Sequence, residues 1–181
     1  RPCGPQMRSL RWPHWTHGAG PDTTGQTTTD WTKMLKVYLS GEIHTDWRDQ
    51  ITAAAGNLEV VFSGPVTDHA ASDDCGVEIM GAEPDKFWHD NKGARLNAIR
   101  TRKGIADADI VVVRFGEKYK QWNAAFDAGY AAALGKSLII MHGADHQHAL
   151  KEVDAAALAV VEEPAQVVSI LRYVLAGTLV K

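Results

Sequence analysis

Short apolar runs alternate with amphipathic stretches along most of the chain. Runs of β-branched and other apolar residues predict five strands, over residues 35–40, 58–63, 110–115, 138–141 and 158–162. Apolar positions at helical spacing predict helices over residues 47–55, 97–105, 123–134 and 165–175. Gly56 and Gly135 stand where the first and third of these helices should end.

This alternation predicts an α/β fold, because strands joined by crossover helices form a parallel sheet covered on both faces. We expect a flavodoxin-like three-layer sandwich with the strand order 2-1-3-4-5, the usual solution for five such strands. Its switch point lies between the first and third strands, where ligands bind. Residues 67–83, rich in Asp and Glu, are expected to form a loop or lid.

Composition limits the class of protein. The 181 residues are 45% hydrophobic and 23% charged, which is typical of one domain large enough to bury a core. All apolar runs are far shorter than the ~20 residues that span a bilayer, and no signal peptide is evident. We therefore expect a cytoplasmic protein without membrane contact. Cys3 and Cys75 are expected to be reduced thiols.

Residues 1–33 differ from the rest of the chain. They hold four of the seven prolines and a TTGQTTT tract without apolar periodicity, so we expect a disordered or non-native leader before a domain over 34–181. The leader contains four basic and two acidic residues of the chain's 19 and 22, so residues 34–181 carry a net charge of −5. This acidic body disfavours nucleic acid as a partner.

Asp127 is the main candidate for chemistry, because it is a lone carboxylate in a helix of small residues that can lie close to the sheet. The expected crevice also contains residues that follow the first and third strands. Its candidate binding residues are Ser40, Gly41, Glu42, His44, Phe115, Gly116, Tyr119, Trp122 and Asn123. Tyr119 and Trp122 either flank a flat ligand or close the edge of the core. Asp127 itself is either a nucleophile or a structural carboxylate in an ion pair.

Other candidates lie outside these two loops. Gly64 follows the second strand, Asp68 begins the acidic segment with His69, Asp73 and Asp74 near it, and Arg100 stands on a polar helix face where it is either solvated or near a substrate phosphate. No GxGxxG or GxxxxGK[ST] motif occurs, so we expect no nucleotide cofactor. His142, His146 and His148 lack the spacing of a known metal site, and we expect no metal.

Four strings, KVYLSGEIHTDWR, LNAIRT, FGEKYKQWNAAFDAGYA and GKSLIIM, together resemble the YtoQ family, which is related to the nucleoside 2-deoxyribosyltransferases. The resemblance covers about residues 35–175. It implies that Asp127, in AFDAGYA, takes the place of the glutamate nucleophile in the related motif GMELGYA, and that Tyr38 contacts this nucleophile. Two departures are evident: the nucleophile is Asp rather than Glu, and the region of Arg100 and Thr101 replaces an acidic residue before the third strand.

The resemblance implies transfer or exchange at the N-glycosidic bond of a small nucleoside or nucleotide, through a glycosyl ester on Asp127. An N-glycoside hydrolase and a non-catalytic nucleotide-binding module are the alternatives. The resemblance also implies a homodimer or larger homo-oligomer that completes each site with a neighbouring subunit. The helix over residues 165–175 has more apolar residues than one core-facing stripe needs. This excess favours either such an interface or packing of the second face beneath the segment over residues 67–83.

Overall fold

The computed structural model describes residues 34–118 and 121–179, so the expectations for residues 1–33 and for Tyr119 lie outside the described residues. Five strands and six α-helices follow in the order β1 (Leu35–Gly41), α1 (Trp47–Ala55), β2 (Val60–Ser63), α2 (His69–Met80), α3 (Lys86–Asp107), β3 (Ile110–Arg114), α4 (Trp122–Ala133), β4 (Ser137–Met141), α5 (Gln147–Ala155), β5 (Ala159–Val161) and α6 (Pro164–Ala176). None of these helices is long and apolar enough to cross a membrane.

The five strands form one parallel sheet in the order β2-β1-β3-β4-β5, which confirms the expected topology. Successive residues of each strand point to opposite faces, and the buried side chains accordingly divide into two clusters. One cluster packs the sheet against α1 and α6, and the other packs it against α3, α4 and α5. The molecule therefore has the three layers that the sequence pattern predicts.

The segment over residues 67–83 corrects one expectation, because it contains the helix α2 rather than a loop. This helix packs closely against α3 through two glycines: a Cβ on Gly76 would lie 2.3 Å from the backbone nitrogen of Gly93. Asp68 and Asp85 accept hydrogen bonds from the first turns of α2 and α3. The helix α3 begins at Lys86, well before the expected residue 97, and α5 was not expected.

Candidate active site

The crevice begins where β1 and β3 end side by side. Gly41 lies opposite Arg114 in the sheet, and the backbone N–H of Glu42 donates to the Arg114 carbonyl at 3.0 Å. A Cβ on Gly41 would lie only 2.1 Å from that carbonyl oxygen, and its φ of 98° also favours glycine. The close approach of the two strand ends therefore requires glycine at this position.

Asp127 lies on the face of α4 next to the end of β1. Ala124, Ala128 and Ala131 are buried against the sheet, so the helix backbone comes close enough for the half-buried Asp127 to reach β1. The hydroxyl of Ser40 donates to Oδ2 of Asp127 at 2.5 Å. Burial raises the pKa of the Asp127 carboxyl, while the hydrogen bond from Ser40 opposes that rise. The carboxyl is thus held in place and is more basic than in water.

Tyr38 lies two residues before Ser40 on the same face of β1, and it anchors a different helix. Its hydroxyl donates to Oγ1 of Thr101 at 3.4 Å, and its ring packs against Gly104, where a Cβ would lie 2.4 Å from the ring. Burial raises the pKa of the Tyr38 phenol, and the contact with Thr101 opposes the rise. The residue that hydrogen-bonds the Asp127 carboxylate is therefore Ser40 rather than Tyr38. The Tyr38 side chain instead holds α3 in position.

Glu42 lines the crevice but is almost fully buried, at 2% exposure. It accepts hydrogen bonds from the backbone N–H of His44 and, at 2.6 Å, from the hydroxyl of Thr45. Nε of Arg114 lies 3.6 Å from the same carboxylate. Gly116 leaves room for this side chain, because a Cβ there would lie 2.5 Å from Glu42 Cγ. Glu42 therefore holds the loop after β1 in shape.

Arg48 of α1 binds the backbone at the end of β1 and in the loop that follows it. Its guanidinium donates to three carbonyls, those of Leu39 at 2.9 Å, Glu42 at 2.6 Å and Gly41 at 3.1 Å. Burial lowers the pKa of Arg48 to about 10, with the nearby Glu42 carboxylate opposing the change. At neutral pH the side chain is still charged, so it fixes the carbonyls at the end of β1.

These elements enclose a cleft of about 770 Å³ between the strand ends, α2, α3 and α4. It brings together seven of the candidate residues: Gly41, Glu42, His44, Arg100, Trp122, Asn123 and Asp127. Six further residues line it that the sequence did not predict as binding residues: Asn97, Thr101 and Arg102 of α3, Phe126 of α4, and the loop residues Pro65 and Val66. The sequence contains no motif for them, because they reach the cleft only through the packing of α3 and the loops in the folded chain.

Five of the other candidates do not line this cleft, and Asp68 lies among the residues that cap helices. Tyr38, Ser40, Phe115 and Gly116 are buried beneath it, and Gly64 borders a smaller cleft of about 390 Å³. Asp68 caps α2, accepting from the Ala71 N–H at 2.7 Å. Within the acidic segment, His69 and Asp73 line the main cleft, and the His69 ring stacks on His44 with centroids 5.3 Å apart.

The three histidines after β4 have separate surroundings. His142 is buried, and its Nε2 lies 3.2 Å from the carboxylate of Asp154 on α5. Nδ1 of His146 lies 3.7 Å from Glu117, while His148 is exposed on α5. In residues 34–118 and 121–179, no three His, Cys, Asp or Glu side chains come together in a way that could hold a metal ion.

Comparisons with known proteins point to one family. A family model described as "Nucleoside 2-deoxyribosyltransferase YtoQ" matches residues 38–175. The "Uncharacterized protein YtoQ" of Bacillus subtilis (strain 168) is 44% identical over 139 residues, which cover 76% of this chain and 94% of that protein. A solved structure of a conserved protein from Enterococcus faecalis V583 shares the fold, with a TM-score of 0.50 at 13% identity. The match covers 79% of this chain and all of that protein. A solved 2-deoxyribosyltransferase from Bacillus psychrosaccharolyticus has a TM-score of 0.47 at 15% identity, covering 73% and 89%.

Proposed function

Because the chain belongs to the family described as nucleoside 2-deoxyribosyltransferase YtoQ, we propose that it cleaves or exchanges the N-glycosidic bond of a nucleoside or nucleotide, with Asp127 as the nucleophile. One observation carries the proposal: a half-buried carboxylate, held by Ser40, faces a cleft of about 770 Å³ at the switch point of the sheet. A cleft of this size suits a small molecule with a base and a sugar.

The arrangement supports a two-step reaction. Ser40 binds Oδ2 of Asp127, and in the described part of the chain Oδ1 accepts no hydrogen bond, so Oδ1 is the atom proposed to attack the anomeric carbon. The C–N bond breaks with its electron pair passing to the base, and a glycosyl ester forms on Asp127. A second base or a water molecule then takes the sugar from the ester. A negative carboxylate also stabilises the oxocarbenium-like transition state.

Trp122 is proposed to bind the face of the nucleobase. It lies in the first turn of α4, lines the cleft and is 73% exposed, and an aromatic ring at such a position suits the flat face of a base. Tyr119, which lies outside the described residues, stays a candidate for a second aromatic contact. Ser40, Gly41, Glu42 and Asn123 are proposed to shape the sugar end, because they surround or adjoin Asp127.

The test is base release from a panel of 2′-deoxynucleosides and their monophosphates, measured with and without a second free base. Exchange of bases supports a transferase, and release without an acceptor supports a hydrolase. Binding of panel members without release from any of them would contradict the proposed catalysis and favour a non-catalytic binding module. We also propose a cytoplasmic location and a homo-oligomer of at least two subunits.

A further inference from the structure

We propose that the cleft recognises a phosphomonoester on the sugar of its substrate, and that Arg100 and Arg102 of α3 bind this phosphate. The inference rests on the proposed N-glycoside chemistry and names the substrate class more closely: a nucleoside monophosphate rather than a free nucleoside. Its starting point is the distribution of charge over the helices that form the cleft.

The helix α3 is basic in an acidic body. It contains six Lys and Arg residues and two Asp residues, a net charge of +4 with His neutral, whereas residues 34–181 as a whole carry −5. Two of these cations are engaged: Lys92 pairs with Glu83 at 3.4 Å, and Lys103 pairs with Asp107. Arg100 and Arg102 both line the cleft, and neither has a carboxylate within 4 Å among the described residues. Two arginines thus line the cleft without an ion-paired carboxylate in the part of the chain that the structure describes, and Arg100 also borders the smaller cleft near Gly64.

The backbone places these arginines at a fixed offset from Asp127. On one face of β1, Ser40 binds Asp127 of α4 and Tyr38 binds Thr101 of α3. Residues two apart in a strand are separated by roughly 6.6 Å, so Asp127 and Thr101 are bound by side chains from neighbouring positions on one face of β1. Arg100 and Arg102 immediately flank Thr101, and both line the same cleft as Asp127. The proposal places the anomeric carbon of a pentose at Asp127 and its phosphate at these two side chains.

One further contact brings Arg102 toward the reacting carboxylate. The guanidinium of Arg102 lies 5.9 Å from the ring centroid of Phe126, the residue next to Asp127. A guanidinium offers parallel N–H donors that match two phosphate oxygens, which makes a phosphomonoester the ligand group that best fits this pair.

The cleft also contains carboxylates that restrict where an anion can bind. Asp73 of α2 and Asp90 of α3 line it, and the Asp90 carboxylate lies 3.5 Å from His89. Both carboxylates repel a phosphate, so they favour its binding near Arg100 and Arg102. They also lower the total positive potential of the cleft, and recognition therefore depends on direct contacts with the two arginines rather than on a general basic surface.

The experiment measures kcat/KM for the four common 2′-deoxynucleosides and for their 5′- and 3′-monophosphates, at an ionic strength near 0.15 M, where weak surface attraction is screened. The wild-type protein is compared with Arg100→Gln, Arg102→Gln and the double variant. Arg95→Gln is the matched control, because Arg95 is an exposed arginine of the same helix that does not line the cleft. Thermal melting of every variant checks that the fold is kept.

We expect the wild-type protein to prefer a monophosphate, with the 5′ and 3′ compounds showing which hydroxyl carries the group. The ratio of kcat/KM for monophosphate over nucleoside should fall on the order of ten- to hundred-fold in the double variant and stay unchanged in Arg95→Gln. Arg100→Lys should keep part of the preference for monophosphates, because lysine retains the positive charge but lacks the paired N–H donors of a guanidinium. A wild-type preference for free nucleosides, or an unchanged ratio in a folded double variant, would overturn the inference and leave the proposed reaction intact.

Calorimetric titration of the wild-type and Asp127→Asn proteins with the same compounds separates the two proposals. Tighter binding of monophosphates that depends on Arg100 and Arg102, without base release by the wild-type protein, would support the phosphate site and contradict the N-glycoside chemistry. Absence of both binding and release across the panel would overturn both. Release of base from nucleosides and monophosphates at equal kcat/KM would overturn the phosphate site alone.

Discussion

At the scale of single residues, the proposed chemistry depends on the carboxylate of Asp127. Replacing it with Asn keeps the shape of the side chain but removes the oxygen nucleophile, so no glycosyl ester can form. We expect Asp127→Asn to reduce turnover on the order of a thousand-fold or more while ligand affinity stays near that of the wild type. Base release and calorimetric binding measure the two quantities. Turnover at the wild-type rate would show that Asp127 is not the nucleophile.

The same substitution should change stability in a pH-dependent way. Burial raises the pKa of Asp127 in the folded protein, so the charged form is destabilising at neutral pH relative to the unfolded chain. This unfavourable contribution is absent below the ordinary Asp pKa of about 3.9 and is complete once the pH exceeds the raised value. We expect Asp127→Asn to raise the melting temperature at pH 7, with the gain shrinking toward pH 4. A gain that is equal at both pH values would contradict this account.

Ser40 should tune the nucleophile more directly than Tyr38. Its hydrogen bond to Asp127 favours the charged carboxylate, so Ser40→Ala should raise the Asp127 pKa further and move the acid limb of the pH–rate profile to higher pH. The loss in kcat/KM should correspond to about 1–3 kcal/mol. Tyr38→Phe is the comparison, because its hydroxyl binds Thr101, and its acid limb should move less. A larger shift in Tyr38→Phe would reverse the two assignments.

At the scale of elements, the position of α3 depends on the absence of a side chain at Gly104. A Cβ there would lie 2.4 Å from the buried ring of Tyr38, so Gly104→Ala should push the helix from the sheet and destabilise the fold by about 1–3 kcal/mol. Gly129→Ala is the matched control, because a Cβ at Gly129 in α4 meets nothing within 4 Å and should stabilise the helix by about 0.5–1 kcal/mol. Denaturant unfolding measures both, and equal effects would contradict the packing argument.

The elements also show which signals the sequence contains. The strands were predictable because their apolar runs are short and are bounded by polar residues, and the helix around Asp127 because of its small residues. The helix α2 was not, since most of its residues are exposed and it packs through a glycine contact between Gly76 and Gly93. A contact between glycines does not require apolar residues at helical spacing, so the sequence of α2 lacks the pattern that predicts a helix. A sequence-level cue was still present in Asp68 and Asp85, which cap α2 and α3.

At the scale of the whole molecule, the topology predicted much of the crevice but not all of its walls. Loops that follow β1 and β3 had to meet, because these strands are neighbours in the order 2-1-3-4-5, and Asp127 could be placed beside them. The wall formed by α2 and α3 could not be predicted, because its position depends on packing between helices. The roles proposed for Asp127, Tyr38 and the binding residues stay predictions until activity is measured.

Assembly is the property of the whole molecule that most needs a measurement. The helix α6 buries Val167, Val168 and Leu171 against the sheet, while Tyr173 and Val174 are 52% and 42% exposed and Leu179 is 83% exposed. The expected intramolecular alternative, packing beneath residues 67–83, is not what the structure shows, because α2 packs on α3 and α6 lies beside α1. We propose that a second subunit covers Tyr173, Val174 and Leu179, called here the α6 strip, because contiguous apolar patches are rarely left exposed on a monomer.

We therefore expect sedimentation equilibrium at micromolar concentration to give at least twice the monomer mass. A charge placed in the strip, as in Val174→Glu, should weaken the association at least ten-fold, because an unpaired carboxylate would be buried in the interface. Leu158→Glu is the control, since Leu158 is an exposed apolar residue just before β5, outside this strip. A monomeric wild-type mass would make the oligomer prediction wrong. The cleft would then have to be complete within one chain.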